Sequence, residues 1–275
     1  MADPTSRRRL WLVRGCKVFA VVAVAWVLTA YVVLPALWRH YEHQPSLQLA
    51  PKISVTVQGI PGDPLNLGLI GVEEEVVRAM LGTGWEPADP VTVRSSLRIA
   101  GSVILGRTYL DAPVSDLFVF GRKQDLAFEK AVGGSARRRH HVRFWKSDAL
   151  GRNGRPLWIG AATFDQSVGL SRRTGQITHH IAADVDADRD GLISGLRSAG
   201  WLTELFQVTG VGSTLTGRNG GGDLYYTDGE LTVGLLAADA AAGRTPERLA
   251  NPVTVQIKEQ LWSAIRTVLG SAPAP

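Results

Sequence analysis

Cysteine is almost absent from this 275-residue chain, which has only Cys16. A single cysteine excludes an internal disulfide framework and any zinc cluster built on several thiolates. Heptads and a G-x-y repeat are also missing, although the chain has 30 glycines and 14 prolines. Coiled-coil and collagen-like architectures are therefore excluded. The length is enough for a membrane anchor with one fair-sized globular domain or two small ones.

A basic excess is missing from most of the chain, although its net charge is +5 and its isoelectric point about 9.6. Residues 1–39 hold six Lys and Arg against one Asp, so residues 40–275 hold 24 charges of each sign. The basic character belongs to the N-terminal segment, and the remainder offers no surplus of cations to a phosphodiester backbone. We therefore expect no nucleic-acid partner.

Three enzyme signatures are missing as well. Gly212-x-x-x-x-Gly217 is followed by Arg218-Asn219 instead of Lys-Ser/Thr, so this segment is not a P-loop. No G-x-S-x-G elbow occurs, which removes the usual serine-hydrolase signature. A set of residues imitates the order of the type 2 phosphatidic acid phosphatase motifs, but the spacings are wrong and the central Pro-Ser-Gly-His element is absent.

What the chain does have is a long apolar run. Val18 to Trp38 contains 21 residues without a charge. At about 1.5 Å per helical residue this run covers a hydrocarbon core of about 30 Å. Five Lys and Arg residues precede the run, so the positive-inside rule places the N-terminus in the cytoplasm and the rest of the chain outside. A cleaved signal peptide is the alternative, but its apolar region is usually only about 7–15 residues long.

The sequence divides into five segments. We expect a cytoplasmic basic segment, a single transmembrane helix, an extended stalk rich in polar residues and proline, one outer domain, and a disordered Ala/Pro tail. These segments comprise residues 1–17, 18–38, 39–52, 53–270 and 271–275, respectively.

The outer domain is predicted to be α+β, with a strand-rich middle and flanking helices. Helical spacing of apolar residues, together with caps and glycine stops, predicts the four helices. These helices run from Val72 to Met80, Asp89 to about Leu105, Asp186 to Ala199, and Val253 to Leu269. Short apolar and aromatic runs separated by turn residues predict the strands. Their approximate ranges are 53–57, 117–120, 126–129, 141–145, 157–164, 177–181, 205–208, 223–226 and 230–236.

An aspartate-rich segment from Asp184 to Asp190 imitates a calcium-binding loop. With Gly191 at the sixth position, position twelve is Arg197, where such a loop needs a bidentate glutamate. A cation in place of the principal anionic ligand weakens calcium binding severely. We therefore interpret the segment as a helix start whose carboxylates interact favourably with the helix dipole.

Adjacent histidines provide a second candidate site. His179 and His180, with Asp184 four residues further along, are side chains that bind a divalent metal, and His180 could alternatively act as a general base beside Asp184. The competing interpretation is a pair of histidines at a strand end, one of them turned inward and hydrogen-bonded. From these residues alone both interpretations stay open.

A third candidate lies between Arg137 and Trp145. If Val142 and Phe144 face the core, His141, Arg143 and Trp145 share the opposite face of the strand and form an anion-binding surface. A solvated edge strand protected by charges gives the same pattern.

Several segments resemble the LssY C-terminal domain family of bacterial envelope proteins. The resemblance runs from Asp63 to about Leu236 and rests on six segments in the family's order. These are Gly62–Asn66; Gly84-Trp85 with Ala88–Pro90; Leu117–Phe128; Arg139–Trp145; Leu157–Asp165; and Thr178–Ile181 continuing through Asp184 to Asp190.

The resemblance implies an envelope domain that also occurs fused to membrane proteins of the phosphatidic acid phosphatase type, with no established reaction. This chain lacks the multi-helix membrane part of such fusions, so their activity does not carry over. Because the matching segments are rich in His, Arg and Asp, we expect one shared polar site. Its predicted members are His141, Arg143, Asp165, His179, His180 and Asp184.

Roles follow from the chemistry of these side chains. Arg143 is expected to hold an anion, Asp165 and Asp184 to coordinate or orient, and His180 to act as base or metal ligand.

The expected location is a bacterial cell membrane, and the expected ligand is a phosphate-bearing or otherwise anionic envelope component, with a divalent metal as a candidate cofactor. The rival hypothesis is a non-catalytic accessory domain of a membrane enzyme or secretion assembly, with its polar residues fixing the fold.

Overall fold

The computed structural model describes residues 4–35, 44–88, 116–133, 135–173, 175, 177–209 and 216–271. The chain divides into two compact units, residues 1–40 and 41–275. The predicted helix from Asp89 to Leu105 lies outside the described residues, as do the start of the predicted stalk and nearly all of the tail.

The first unit is helical. Helix α1 covers Pro4–Leu28 and continues as a π-helical turn over Thr29–Val33. Within it Trp11–Val33, 23 residues with a mean hydropathy of 2.2, is long and apolar enough to cross a membrane. None of this stretch is buried within the protein. A helix with apolar side chains on every side and no protein partner is suited to hydrocarbon.

The second unit is built on a large mixed sheet. Its strands, in chain order, are β1 Ile53–Val55, β2 Pro61–Pro64, β3 Leu67–Ile70, β4 Glu86–Pro87, β5 Phe118–Val119, β6 Arg122–Lys123, β7 Leu126–Val132, β8 Ser135–Leu150, β9 Pro156–Leu170, β10 Ile177–Ile181, β11 Leu202–Thr209, β12 Thr216–Arg218, β13 Leu224–Tyr226, β14 Glu230–Leu236 and β15 Glu247–Arg248. Nine of them form one sheet in the order β15-β11-β14-β3-β9-β8-β7-β4, with β10 paired to β9. Two smaller sheets, β2-β1-β5-β6 and β12-β13, complete the described strands.

The long hairpin of β8 and β9 forms the centre of this sheet. Asn153 and Gly154 both have positive φ, 62° and 67°, in the turn between the two strands. Turns with left-handed residues match the right-handed twist of paired strands, which is why Asn-Gly is favoured in hairpins. The hairpin carries three of the six predicted site residues, His141, Arg143 and Asp165.

Both faces of the sheet are covered by apolar side chains. One face packs Val142, Phe144 and Trp158 against helices, and the other packs Trp145 and Ile159. The solvated-edge interpretation of Arg137 to Trp145 is therefore wrong, because β8 lies between β7 and β9 and alternates between two buried faces. Polar residues near the middle of β8 are therefore buried, whichever face of the sheet they occupy.

Helices α2, Glu73–Gly82, and α3, Val185–Ser198, pack on the first of these faces. Glu75 accepts a hydrogen bond from the backbone of Val72 (2.9 Å) and so satisfies a free amide at the start of α2. Asp184 caps α3 by accepting from the amide of Ala187 at 3.2 Å. This confirms the helix-start interpretation of the aspartate-rich segment.

Helix α4 covers Val253–Ser271, close to its predicted extent. It turns Val255, Trp262 and the long side chain of Lys258 inward, while Leu261 is 60% exposed. Lys258 forms a buried ion pair with Glu230 of β14. The apolar pattern alone could not show that this helix buries a cation, since the partner is 28 residues away along the chain.

The predicted stalk differs from the structure in its second half. Pro45–Leu49 forms a 3-10 turn, and Leu47 is only 1% exposed within the core cluster that contains Trp145. The Gln44 side chain donates to the carbonyl of Leu150 at 3.0 Å. One well-placed leucine therefore anchors a segment whose proline and polar content is typical of a linker.

Replacing Leu47 by alanine is expected to lower the free energy of unfolding by about 2–3 kcal/mol, since a fully buried leucine leaves a cavity. Leu49, in the same turn, is 94% exposed and is the matched control. Its replacement by alanine should change stability by less than about 0.5 kcal/mol. Urea unfolding followed by tryptophan fluorescence gives both values, and equal effects would show that residues 45–49 do not pack against the domain.

The α+β expectation is confirmed, with a strand-rich middle and helices on both sides of it along the chain.

Candidate functional site

Strands β8, β9 and β10 bring four of the predicted site residues to one cavity. The cavity has a volume of about 360 Å³. His141 and Arg143, two apart on β8, share its wall with Asp165 of β9 and His179 of β10. Alternation along a strand puts residues i and i+2 on one face, which is why Val142 between them points to the core.

His141 and Asp165 form the most buried pair in this group. Nδ1 of His141 lies 3.1 Å from Oδ2 of Asp165, and both side chains are at most 4% exposed. Neither Nε2 of His141 nor Oδ2 of Asp165 makes a hydrogen bond within the described part of the chain. Buried polar atoms are nearly always hydrogen-bonded, so two unsatisfied atoms lining one cavity indicate a place for a ligand or water.

Burial shifts the pKa values of this pair in opposite directions. The pKa of His141 is well below its usual value, first because of burial and then because of the nearby positive charges of Arg143 and Arg139. The pKa of Asp165 is raised to about 7, because the loss of solvation outweighs the attraction of the same two arginines. His141 is therefore neutral at neutral pH, whereas Asp165 is close to half protonated.

The tautomer of His141 follows from its neighbour. An ionised Asp165 favours the proton on Nδ1 and leaves the lone pair on Nε2, whereas a protonated Asp165 favours the lone pair on Nδ1 and leaves the N–H on Nε2, facing a ligand. A neutral imidazole oriented by a carboxyl group is an arrangement found in general-base and metal-binding histidines alike.

Arg143 is held in place by a residue from a distant part of the chain. Its Nη1 donates to Oδ2 of Asp63, in β2, at 2.9 Å, and both side chains are at most 10% exposed. Burial raises the pKa of Asp63 despite the opposing charge of Arg143, and the nearby Asp223 raises it further. The Nε of Arg143 is buried and makes no hydrogen bond to the residues that the structure describes, so this N–H is placed to donate to an anion bound in the cavity.

Arg139 connects the remaining members of the site. It donates to Glu129 at 2.8 Å and to Nε2 of His179 at 3.4 Å, and its Nε lies 3.5 Å from Asp165. Burial together with Arg139 and Arg143 lowers the pKa of His179. His179, Arg139, Asp165 and His141 are thus one continuous chain of polar contacts.

The sequence did not identify several residues that complete the cavity. Asp63, Ser171 and a glycine-containing turn, Asn219–Gly221, line it together with the loop Thr56–Ile60. The only sequence signal for the turn is the glycine-rich stretch around residues 217–222. In that turn Asn219 accepts from the amide of Asp223 at 2.9 Å, a local bond that closes the loop.

His180 and Asp184 have other surroundings. Nδ1 of His180 lies 2.7 Å from Oδ1 of Asp223, and the other oxygen of Asp223 accepts from the amide of Ile181. Asp184 caps α3 and pairs with Arg266 of α4 at 2.7 and 2.9 Å. Neither residue lines the cavity.

The predicted metal set of His179, His180 and Asp184 therefore rests on residues with separate partners. Within the described ranges, no group of three or more His, Cys, Asp or Glu side chains has an arrangement that could hold a metal ion. Metal binding by His179, His180 and Asp184 stays a prediction.

The remaining acidic residues of α3 belong to a buried network. Asp186 accepts from Thr227 at 2.8 Å and from the amide of Asp228 at 2.7 Å, while Arg189 forms a two-pronged pair with Asp228. Asp188 contacts Nδ1 of His140 at 2.5 Å. These carboxylates are used by protein partners, which fits a helix start and not a calcium loop.

The comparison with protein families agrees with this arrangement. Residues 47–231, about two-thirds of the chain, match the model described as LssY C-terminus. The chain therefore belongs to the LssY C-terminal family, as the resemblance of its six segments predicted. Comparison with curated proteins and with solved structures gives no match. The matched range contains all the residues of the His141–Asp165 cavity.

Proposed function

We propose that this protein is a membrane-anchored envelope protein whose domain binds a phosphate-bearing or otherwise anionic membrane component in the His141–Asp165 cavity and acts on it by acid–base chemistry. The observation that supports this most strongly is the geometry of one buried pair. His141 lies 3.1 Å from Asp165, beside Arg143, in a cavity of about 360 Å³. Catalysis needs such groups within hydrogen-bond reach of a common substrate.

The charge of the cavity favours an anion. Arg143 is positively charged, whereas the pKa values of Asp63 and Asp165 are both raised by burial. Near neutral pH Asp165 therefore carries only part of its negative charge and offsets Arg143 less than a fully ionised carboxylate does. An entering phosphate accepts hydrogen bonds from Arg143, and Nε2 of His141 accepts one from a protonated phosphate oxygen or from a water molecule.

Asp165 supplies the proton exchange in this proposal. With a pKa of about 7, its carboxyl group takes up or releases a proton close to neutral pH. When the ligand or a water molecule gives a proton to Nε2 of His141, the Nδ1 proton passes to Asp165, so the imidazole is neutral before and after the transfer, and the reverse transfer returns the proton. The sequence predicted His180 as the base, and in the proposed mechanism His141 takes this role because it is the histidine that contacts Asp165.

The membrane anchor supports a membrane-associated substrate. The Trp11–Val33 helix is long and apolar enough to cross a membrane, and an anchor of this kind favours membrane components as ligands of the same chain. The basic N-terminal segment supports a cytoplasmic N-terminus and an outer domain on the other side.

Binding of a short-chain phosphatidic acid, dihexanoyl phosphatidate, tests this proposal. Isothermal titration of the full chain in a nonionic detergent should show binding that dihexanoyl phosphatidylcholine does not reproduce. Arg143→Gln is expected to weaken it about 10- to 100-fold, the usual effect of losing a charge-assisted hydrogen bond. The matched control is Arg138→Gln on the same strand, because Arg138 is exposed and stacks on Phe164.

The outcomes separate the two classes of function. Binding with release of phosphate or another product that depends on His141 and Asp165 indicates an enzyme. Binding without turnover indicates the accessory domain of the rival hypothesis. An affinity for phosphatidate that Arg143→Gln leaves unchanged contradicts the proposed site.

A further inference from the structure

A second cavity lies on the helix-covered side of the sheet. It has a volume of about 650 Å³ and is formed by α3, strands β11 and β14, and the chain from Arg248 to Glu259. It shares no lining residue with the His141–Asp165 cavity. Its polar lining residues include Arg197, Gln207, Thr232, Arg248, Asn251 and Glu259.

The floor of this cleft contains a buried hydroxyl group. Thr232 of β14 is only 6% exposed, and its Oγ1 has no hydrogen-bond partner within the described part of the chain. Its backbone N–H donates to the carbonyl of Asn66, and in the sheet it is paired with Gln207 of β11. An unsatisfied hydroxyl at the centre of a sheet costs free energy, which a ligand that bonds to it would recover.

Two guanidinium groups stand at the wall of the same cleft. Arg197 lies in the last turn of α3 and Arg248 in β15. Neither side chain forms an ion pair or a hydrogen bond with the residues that the structure describes. Both are exposed at the rim of the cleft, whereas the buried Arg139, Arg143 and Arg189 are each paired with a carboxylate. Arg197 gains some stabilisation from the helix dipole, but the dipole has no such effect on Arg248.

The acidic residues around the cleft already have partners. Asp190 lies 2.9 Å from Nη2 of Arg189, and Glu259 accepts a hydrogen bond from the side-chain amide of Asn251 at 2.6 Å. Neither neutralises Arg197 or Arg248 directly. The lining therefore presents two available cations and one available hydroxyl group.

We propose that this cleft is a second binding site, for a small soluble molecule with two acidic groups, either phosphates or carboxylates. The two guanidinium groups each bind one acidic group, and Thr232 donates a hydrogen bond to the ligand. The volume exceeds that of two acidic groups, and Ile193, Leu205 and Phe206 line the remainder. The ligand therefore carries an apolar or uncharged body as well.

This site goes beyond the function proposed for the first cavity and does not depend on it. The two share no residue, so each can be removed without the other. Arg197 and Arg248 are exposed and lie outside the first cavity, so replacing them leaves the buried Arg143–Asp63 pair unchanged.

The test uses the full wild-type chain in nonionic detergent. Inorganic pyrophosphate and citrate serve as diphosphate and polycarboxylate probes in isothermal titration at constant ionic strength. We expect one of them to bind in this cleft. Adding Arg197→Gln and Arg248→Gln together should weaken that binding at least 10-fold, and the probe that binds identifies the class of acid.

A second variant tests the proposed hydrogen bond from Thr232 without changing any charge. Thr232→Val replaces the hydroxyl by a methyl group of nearly equal size and removes an unsatisfied buried group. It should leave the thermal midpoint of the free protein unchanged or raised by a few degrees, and lower the affinity for the bound probe. The proposal is overturned if neither probe binds, or if binding is unaffected by the double arginine substitution.

Discussion

Arg189→Met is expected to lower the free energy of unfolding by about 3–5 kcal/mol, the usual cost of removing one partner from a buried ion pair. Arg189 is 3% exposed and joins both oxygens of Asp228, at 2.8 and 2.9 Å, to Asp186 at 3.4 Å. Methionine fills much of the same volume but leaves two buried carboxyl groups without their cation. The burial that raises the pKa of Asp186 to about 6 already shows how poorly this environment tolerates negative charge.

A surface ion pair provides the control. Arg78 and Asp239 lie 3.0 Å apart with side chains 40% and 83% exposed, so Arg78→Met should cost less than about 1 kcal/mol. The double variant Arg189→Met with Asp228→Asn should recover part of the loss, because it also removes one uncompensated charge. Urea unfolding of the full chain in detergent gives all the values. A loss below about 1 kcal/mol for Arg189→Met would contradict a structural role for this network.

Asp165→Asn is expected to change how the free energy of unfolding depends on pH, by about 4 kcal/mol between pH 4 and pH 7.5. The folded pKa of Asp165, about 7, is above its ordinary value of 3.8. The folded protein therefore binds the Asp165 proton more tightly than the unfolded chain does. The resulting stabilisation is complete below about pH 4 and is lost as the pH rises to about 7, at about 1.4 kcal/mol per pH unit.

The expected result is a difference between two curves. Relative to Asp165→Asn, the wild-type protein should lose about 4 kcal/mol of stability between pH 4 and pH 7.5. Asp186 and Glu129 also have raised pKa values, but neither is among the charges that shift the pKa of Asp165, so they cancel in the comparison; Asp63, which is among those charges, contributes a smaller coupled part of the difference. Asp239→Asn, at an exposed site, is the control. Parallel curves for wild type and Asp165→Asn would show that Asp165 ionises normally and has no role in proton exchange.

The sequence predicted the local elements well where caps and periodicity agree. The predicted bounds, Asp186 and Ala199, place α3, which covers Val185–Ser198, within about one residue at each end. The alternation around His141 and Arg143 was also sufficient to place both on one face. What it could not reveal was that β8 is a central strand, because pairing with β7 and β9 is a property of the whole sheet.

The candidate site could be predicted only in part. His141, Arg143, Asp165 and His179 come together because β8, β9 and β10 are consecutive and antiparallel, so their residues meet through local hairpins. Asp63 lies 80 residues from its partner Arg143, and no short-range pattern connects them.

The choice between the two adjacent histidines likewise depended on tertiary structure. The sequence analysis predicted both His179 and His180 as members of one site, but neighbouring residues of a strand point to opposite faces, so the strand turns only one of them toward a given site. The sequence does not say which one. In the structure His180 contacts Asp223, 43 residues further along the chain, and His179 lines the cavity.

The central claim is that the His141–Asp165 cavity binds an anion, and a crystal structure of the full chain soaked with tungstate tests it most directly. Tungstate has the shape and charge of phosphate, and its anomalous signal locates it without ambiguity. The account predicts tungstate between Arg143 and Nε2 of His141, with its occupancy falling as the pH is raised through 7 and Asp165 ionises. A cavity without tungstate at pH 6, in crystals where the anion is found elsewhere on the protein, would contradict it.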